Sequence, residues 1–194
     1  MKNYKIGLDI ALRSNGLVIL NEDNTIKHAE LIQTVPSITK KQEKDPRYIV
    51  RNEEEIILTT SIEIYTAFRR INDASTNNIS NVNIEGLALG AMSGHKDIMA
   101  GIHWYIRCMI LHDFNIKCKV VTPMAWRKGY ISNYDKLNYG LQYGIDDPIE
   151  KIIMYDKIPE NDKAIIDKVN SEQGLNKWSH LDLSDAYWIA RYSK

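Results

Sequence analysis

Cysteine, phenylalanine and proline are scarce in this chain of 194 residues, which has two cysteines, two phenylalanines and five prolines. Two cysteines, Cys108 and Cys118, are too few for a disulfide-stapled scaffold, and we expect both thiols to be free and at least half buried. Five prolines and ten glycines also exclude collagen-like and low-complexity chains. The longest stretch without a charged residue, 74–84, is mostly polar and far shorter than the ~20 apolar residues of a membrane span.

A net charge is also missing, because 25 Lys and Arg residues balance 25 Asp and Glu residues. A neutral chain does not bind nucleic acid by long-range attraction alone. The balance is nevertheless a sum over unlike parts, since residues 1–144 hold 18 basic and 15 acidic side chains and residues 145–194 hold 7 and 10. Divalent cations that neutralise several of the acids would make the net charge of the protein positive. The composition is therefore compatible with a nucleic-acid binder that depends on metal.

The N-terminal apolar segment is interrupted at Asp9 and Arg13, so it lacks the continuous apolar core of a signal peptide. Together with the few cysteines, this predicts a cytoplasmic protein.

Hydrophobic periodicity and turn residues predict a chain that begins with strands and continues with alternating strands and helices. We expect one domain over residues 1–194, without internal repeats or linkers. Strands are predicted at 4–11, 16–21, 25–33, 81–86 and 117–122, and long helices at 45–72, where Asp45-Pro46 has a helix-start signature, at 96–114 and at 179–192. Shorter helical pieces are predicted at 149–155 and 160–169.

This order predicts an α/β fold of the ribonuclease H-like type. Three strands joined by short turns form an antiparallel meander, and two parallel strands follow through helical crossovers. The result is a five-stranded mixed sheet flanked by helices. That fold hosts nucleases, transposases, kinases and ATPases, so function has to be argued from particular side chains.

Two acids stand in apolar strands. Asp9 lies within the first strand, where a buried carboxylate is costly unless it is paired, and Glu85 ends the fourth strand after apolar residues. Ligands bind at the carboxyl ends of strands in α/β sheets, which favours a site there. Taken singly, Asp9 has an alternative role as a bulge or edge residue, and Glu85 as a salt-bridge partner.

Two further acids, Asp182 and Asp185, are three residues apart and therefore share one face of the last helix. Like charges at that spacing repel unless a cation binds between them, and Mg²⁺ prefers oxygen ligands. Four carboxylates from two strands and a helix could hold a pair of such ions for phosphodiester hydrolysis. The alternatives are a helix cap, through Ser179 and Asp182, and a solvated surface position for Asp185.

The segments "IGLDIALRSNGLVIL", "VNIEG", "VTPMAWRKG" and "HLDLSDAYWIA", in this order, resemble the RuvC-type Holliday-junction resolvases, most of all their phage and poxvirus relatives. The resemblance implies an endonuclease that acts as a homodimer, uses two Mg²⁺ ions per site, replaceable by Mn²⁺, and nicks opposed strands of a four-way DNA junction. It implies that Asp9, Glu85, Asp182 and Asp185 are the catalytic metal ligands, and that the protein acts in the cytoplasm of a bacterium or of an infected host cell. His180, two residues before Asp182, is a candidate auxiliary residue for the water or a metal, but a surface histidine near the helix start is the favoured interpretation. "GLALGAMSG" lacks the aromatic wedge of the bacterial enzymes.

The segment 114–134 contains basic and aromatic residues but no acid, a composition that suits DNA. Arg127 and Lys128 are the first candidates for DNA contacts, followed by Lys117 and Lys119. The alternative is that the two strand lysines are merely exposed and that Trp126 belongs to the core. A second basic cluster is matched by neighbouring acids and is better explained as a solvated face: Lys40, Lys41, Lys44, Arg47 and Arg51.

Three other functions compete with a junction resolvase. A less selective nuclease would cut flaps, forks or RNA–DNA hybrids. An actin-like kinase or ATPase needs a glycine-rich phosphate hairpin and a second such domain, and neither is present in this sequence. A junction-binding protein that does not cut is disfavoured, because four acids without metal would repel phosphate.

The second long helix carries Trp104 and Tyr105, which predict either a dimer surface or a buried core helix.

Overall fold

Five strands and seven helices are present in the computed structural model, which describes residues 3–34, 52–75, 79–87, 96–127, 130–142, 148–174 and 178–192. The strands are β1 (Tyr4–Asp9), β2 (Ser14–Leu20), β3 (Ile26–Gln33), β4 (Ile79–Glu85) and β5 (Lys119–Val121). The helices are α1 (Glu53–Ser75), α2 (Lys96–Phe114), α3 (Pro123–Arg127), α4 (Asn133–Gln142), α5 (Ile149–Asp156), α6 (Glu160–Gln173) and α7 (Ser179–Arg191).

All five strands form one sheet in the order β3-β2-β1-β4-β5. β1 pairs antiparallel with β2, and β2 with β3, whereas β4 is parallel to both β1 and β5. This arrangement confirms the predicted mixed sheet of the ribonuclease H-like type. Because β1 and β4 run in the same direction, their carboxyl ends, at Asp9 and Glu85, lie side by side.

Strand alternation separates the sheet into two apolar faces. Ile6 and Leu8 of β1 pack in one core with residues of α1 and α2. Val18 and Leu20 of β2 pack in the other core with residues of α5, α6 and α7. The molecule is thus a helix-sheet-helix sandwich. In β1 and β4, every second residue belongs to the first core, and the residues between them point toward α7.

The described part of the first long helix starts later than the sequence pattern predicts. The helix begins at Glu53, and Asp45-Pro46 lies outside the described residues. A reciprocal pair of hydrogen bonds fixes the start: the backbone N–H of Glu55 donates to Asn52 Oδ1, and the Asn52 N–H donates to the Glu55 carboxylate. This is a capping box, which satisfies two of the amides that a helix start leaves unpaired.

Two helices after β5 were not predicted. Pro123 begins α3 in addition to ending the strand, since proline suits the first position of a helix. α4 is only ten residues long and contains Gly140, which disfavours a helix, so its local signal is weak. Among the described residues, no helix is long and apolar enough to cross a membrane.

Both cysteines are free, as predicted, but the expected burial holds only for Cys118. Cys108 is exposed on α2 because its position faces away from the core residues of that helix. Burial raises the pKa of the Cys118 thiol to about 11, which keeps it protonated at neutral pH despite the flanking lysines.

Candidate active site

Asp9 and Glu85 meet at the carboxyl end of the two central parallel strands. Leu8 is aligned with Ile84, which places the next residue of each strand side by side. The two carboxyl groups share a hydrogen bond. Asp9 is 4% exposed, so a protein interior, and not solvent, surrounds its carboxylate.

Helix α7 brings the second pair of acids to the same place. It packs across β1 and β2, with Asp185 fully buried and Asp182 half-buried. The hydroxyl of Ser14, at the start of β2, donates a 2.6 Å hydrogen bond to Oδ2 of Asp182. The structure therefore brings all four predicted acids together, from two strands and one helix.

Two strand glycines let α7 lie this close to the sheet. A Cβ atom on Gly7 would lie 2.6 Å from the backbone nitrogen of Ala190, and one on Gly16 would lie 2.7 Å from the carbonyl carbon of Asp182. Gly16 is also the residue that pairs with Asp9 across β1 and β2. Any larger residue at these positions would lift the helix and its acids away from Asp9.

The far end of α7 is fastened by Asn83 of β4. Its side-chain amide donates to the carbonyl of Ile189 at 2.7 Å and to that of Tyr192 at 2.9 Å. Ile189 lies in the last turn of the helix and Tyr192 follows it directly, where carbonyls lose their usual intrahelical partners. The Ile189 carbonyl also accepts from the backbone N–H of Tyr192 at 3.2 Å. The same strand thus supplies Glu85 to the site and holds the helix that carries the other two acids.

Lys151 of α5 lies among these carboxylates and was not predicted from the sequence. Its Nζ atom is 2.7 Å from Asp185 Oδ2, 3.6 Å from Asp182 Oδ1 and 3.9 Å from Asp9 Oδ2. Lys151 is the one lysine of the amphipathic helix α5, and it lies 142 positions after Asp9 in the chain, so no local pattern could have identified it.

Arg127 is a second cation beside the acids. Its guanidinium is 3.5 Å from Asp185 Oδ2 and 3.7 Å from the carboxylate of Glu150, and it stacks over the Trp126 ring at 4.5 Å. The predicted DNA-contact residue Arg127 is therefore part of the acidic site itself. Trp126 is buried, which confirms its alternative role as a core residue.

The electrostatics of the cluster are dominated by burial. Burial raises the pKa of Asp9 well above its usual value, repulsion from Glu85 raises it further, and Lys151 opposes both effects. Burial likewise raises the pKa of Asp185, while Lys151 and Arg127 lower it. Burial disfavours the Lys151 ammonium, yet attraction to Asp9, Asp185 and Asp182 holds its pKa above the ordinary value. Such strongly perturbed groups are typical of functional sites.

The donor set suits a hard divalent cation. All four acids offer carboxylate oxygens, and Asp185 Oδ1 is buried without a hydrogen-bond partner while both nearby cations contact its other oxygen. As the side chains stand, no three His, Cys, Asp or Glu groups in the described ranges are close enough together to hold an ion. The Lys151 ammonium lies between the carboxylates of Asp9, Asp182 and Asp185.

The alternative roles of the helical acids do not hold. In the part of the chain that the structure describes, no side chain caps the start of α7, and Asp182 accepts from Ser14 of β2 instead. Asp185 is completely buried and therefore is not a solvated surface position.

The remaining predicted residues lie elsewhere or are not described. His180 packs edge-on against the Tyr155 ring, with centroids 4.7 Å apart. Lys117 is exposed beside the α2 surface, and Lys119 lies 5.1 Å from the ring of Tyr192, past the opposite end of α7 from Asp182. Lys119 is aligned with Asn83 of β4, the residue that holds the Tyr192 end of α7. Outside the described residues lie Lys128, the basic cluster Lys40, Lys41, Lys44, Arg47 and Arg51, and most of "GLALGAMSG".

Comparison with solved structures agrees with this architecture. The sequence matches no protein-family model and no curated protein. The fold is similar to that of Thermus thermophilus RuvC in complex with a Holliday junction substrate, with a TM-score of 0.53, 10% identity, and coverage of 97% of this chain and 90% of that chain. It is also similar to a further Thermus thermophilus RuvC structure, with a TM-score of 0.51, 12% identity, and coverage of 96% and 90%. The chain therefore has the ribonuclease H-like fold found in RuvC.

Proposed function

We propose that this protein is a divalent-metal-dependent endonuclease of the RuvC type that cuts branched DNA, with the four-way junction as its main substrate. One observation carries the proposal: four acids meet at the carboxyl end of the two central parallel strands, namely Asp9, Glu85, Asp182 and Asp185. Its support from the fold is the similarity to RuvC in complex with a Holliday junction substrate. The sequence motifs favour the phage and poxvirus branch of that family.

In this proposal the four carboxylates hold two Mg²⁺ or Mn²⁺ ions. The chemistry that bound divalent cations supply in such a site is activation of a water molecule and neutralisation of the charge on the leaving oxygen. Asp9 lies centrally and is buried, Ser14 orients Asp182 by donating to it, and Asp185 offers an unpartnered oxygen. The chain's own contribution is to hold these oxygens in a largely water-excluded position.

The path of DNA follows from the groups beside the acids. An open cleft of about 410 Å³ adjoins Arg127, and it is lined by Pro123, Met124, Arg127, Ile131, Lys136 and Glu150. Arg127 and Lys136 both pair with Glu150, the one acid of this lining, so the two cations leave a net positive charge that suits a phosphate backbone. Met124, which is 84% exposed, offers an apolar surface to a base. We place the DNA strand in this cleft, next to the carboxylates, instead of along Lys117 and Lys119.

Symmetric cutting requires two active sites, and the exposed apolar residues of α1 and α2 fit a homodimer. Trp104 is 60% exposed, and Leu111 of α2 and Leu58 and Ile62 of α1 are also exposed. The two helices pack against each other, so these side chains form one surface on the side of the sheet opposite α7. We propose that it joins two copies of the chain; Trp104→Glu should then convert a dimer to a monomer in sedimentation experiments.

The experiment that tests the function is cleavage of a synthetic four-way junction with Mg²⁺, with Mn²⁺ and with EDTA. A flap, a fork, an RNA–DNA hybrid and a linear duplex of the same sequence complete the substrate panel. We expect paired nicks in the junction with either metal, and we expect Asp9→Asn to bind the junction without cutting it. Asp23→Asn, in the exposed turn before β3, is the matched control and should cut normally.

Each contrary result has a definite meaning. Equal cutting of all branched substrates and the hybrid would replace the resolvase with a less selective nuclease. Binding of the junction without cutting under any metal condition would overturn the nuclease and leave a junction-binding protein.

A further inference from the structure

The ammonium group of Lys151 lies where a cation shared by the acids would be expected. Its distances of 2.7, 3.6 and 3.9 Å to Asp185, Asp182 and Asp9 involve three of the four candidate metal ligands. A single positive charge that contacts three carboxylates compensates much of their mutual repulsion. Lys151 therefore occupies the electrostatic position that the proposed function assigns to metal.

The way α5 packs shows that this contact is built into the fold. Ile152, Ile153 and Met154 of the same helix are buried, and α5 packs directly on α7. The neighbouring carboxylate of Glu150 is engaged by Lys136 and Arg127, so it does not draw Lys151 away from the acids. The Lys151 side chain is 31% exposed, which leaves its ammonium a path to solvent.

A divalent cation and this ammonium exclude each other. An ion bound to Asp185 Oδ2 would take the oxygen that now accepts the shortest contact from Lys151, at 2.7 Å. Mg²⁺ lies about 2.1 Å from its oxygen ligands, so the two cations would be near neighbours with a strong mutual repulsion. One of them has to leave.

We propose that Lys151 is a built-in placeholder for the metal: it holds the carboxylates together in the metal-free protein, and a divalent cation enters only by displacing its ammonium. The inference rests on the proposed metal-dependent function and adds a regulatory feature to the same site. It makes Lys151 a positioning residue that keeps the site assembled without metal and weakens metal binding by competing for the same oxygens.

Calorimetric titration of Mn²⁺ into DNA-free protein tests the competition. Lys151→Met removes the charge and keeps a chain of similar length, so Mn²⁺ should bind tighter by on the order of tenfold or more. The variant should also melt at a lower temperature than the wild type in EDTA and gain more from Mn²⁺. Lys151→Arg keeps the charge and should behave as the wild type. Lys157→Met is the matched control, because Lys157 ends the same helix and pairs only with Asp135 among the described salt bridges.

A second measurement uses the unaltered protein and does not depend on the folding of a variant. Acetylation of lysines by N-hydroxysuccinimide acetate, followed by peptide mass spectrometry, reports whether each ammonium is held or free. Lys151 should be protected in EDTA and become several-fold more reactive with Mg²⁺, whereas Lys157 should not change.

The outcomes separate this inference from the function on which it rests. Equal or weaker Mn²⁺ binding by Lys151→Met, or unchanged labelling of Lys151 while the wild type binds metal, would overturn the placeholder and leave the nuclease intact. Absence of Mn²⁺ binding by both the wild type and Lys151→Met would overturn the metal site and the placeholder together.

Discussion

Gly16 lies directly beneath the backbone carbonyl of Asp182, so close that a Cβ atom on residue 16 would be 2.7 Å from the carbonyl carbon. Because Gly16 also pairs with Asp9, this contact sets the distance between the acid of β1 and the acids of α7. The assembly of the site therefore depends on a residue that has no side chain.

Replacing Gly16 by alanine should separate the acids. The contact is with backbone, which cannot rotate away, so Gly16→Ala should lower the free energy of unfolding by about 1–3 kcal/mol. It should also reduce junction cutting at least tenfold. Gly101→Ala is the control, since the three atoms nearest to its Cβ belong to the side chain of Ile57, which can move more easily than backbone, and alanine favours a helix. Urea denaturation and cleavage rates check both; normal cutting by a folded Gly16→Ala protein would contradict the argument.

Neutralising Asp9 should abolish cutting and stabilise the metal-free protein. The pKa of Asp9 is raised by burial and by repulsion from Glu85, so its charge opposes folding at pH values above the ordinary carboxyl pKa. Asp9→Asn should therefore raise the melting temperature at pH 7.5 in EDTA, by about 3 °C for each 1 kcal/mol.

Asp23→Asn gives the opposite sign and serves as the control. Hydrogen bonds from Thr25 lower the pKa of Asp23, so its charge favours the folded state and its loss should not raise the melting temperature. If Asp9→Asn melts at or below the melting temperature of the wild type, the charge on the Asp9 carboxylate does not destabilise the folded protein.

Removing the Ser14 hydroxyl should loosen Asp182. Ser14 Oγ donates a 2.6 Å hydrogen bond to Asp182 Oδ2, and the acceptor is charged. Ser14→Ala should cost about 1.5 kcal/mol or more in stability and slow cutting several-fold without abolishing it. Ser14→Thr keeps the hydroxyl and should restore most of the activity. If alanine and threonine at this position give the same rate, orientation of Asp182 by the hydroxyl is not important.

Acid should destabilise the protein through His103 of α2. Burial, and to a smaller extent Arg107, lowers the pKa of His103 from 6.5 to about 4. Between pH 6.5 and about pH 4, this histidine is protonated in the unfolded chain and neutral in the folded protein. The free energy of unfolding therefore decreases as the pH falls from about 6.5 to about 4.

The corresponding measurement is urea unfolding at pH 7 and at pH 5. The wild type should lose about 2 kcal/mol more than His103→Leu between these pH values, because leucine cannot titrate. Equal losses would show that His103 becomes protonated in the folded protein as readily as in the unfolded chain.

The sheet and the acids could be predicted from the sequence because both leave local signals. Asp9 interrupts an apolar strand, and Asp182 and Asp185 repeat a charge on one helical face, patterns that are costly without a partner. The strand order follows from short turns and from the handedness of helical crossovers.

Other parts of the site depend on contacts between distant segments. Lys151 has no unusual local pattern, and its role follows only from the packing of α5 on α7. Gly7 and Gly16 did leave a signal, since a glycine inside a strand marks a close approach of another backbone, but the sequence does not say which segment approaches. The helix α4 was missed because it is short and contains a glycine, which disfavours a helix.

The most direct test of the central claim is strand-mapped cleavage of a four-way junction by the wild type and by Asp185→Asn with Mg²⁺. Asp185 is fully buried, and one of its oxygens lacks a hydrogen-bond partner, so we expect its amide variant to fold and bind the junction without cutting. The wild type should produce nicks at symmetric positions in two opposed strands. Cutting by Asp185→Asn at the wild-type rate, or no cutting of the junction by the wild type with either Mg²⁺ or Mn²⁺, would contradict the account.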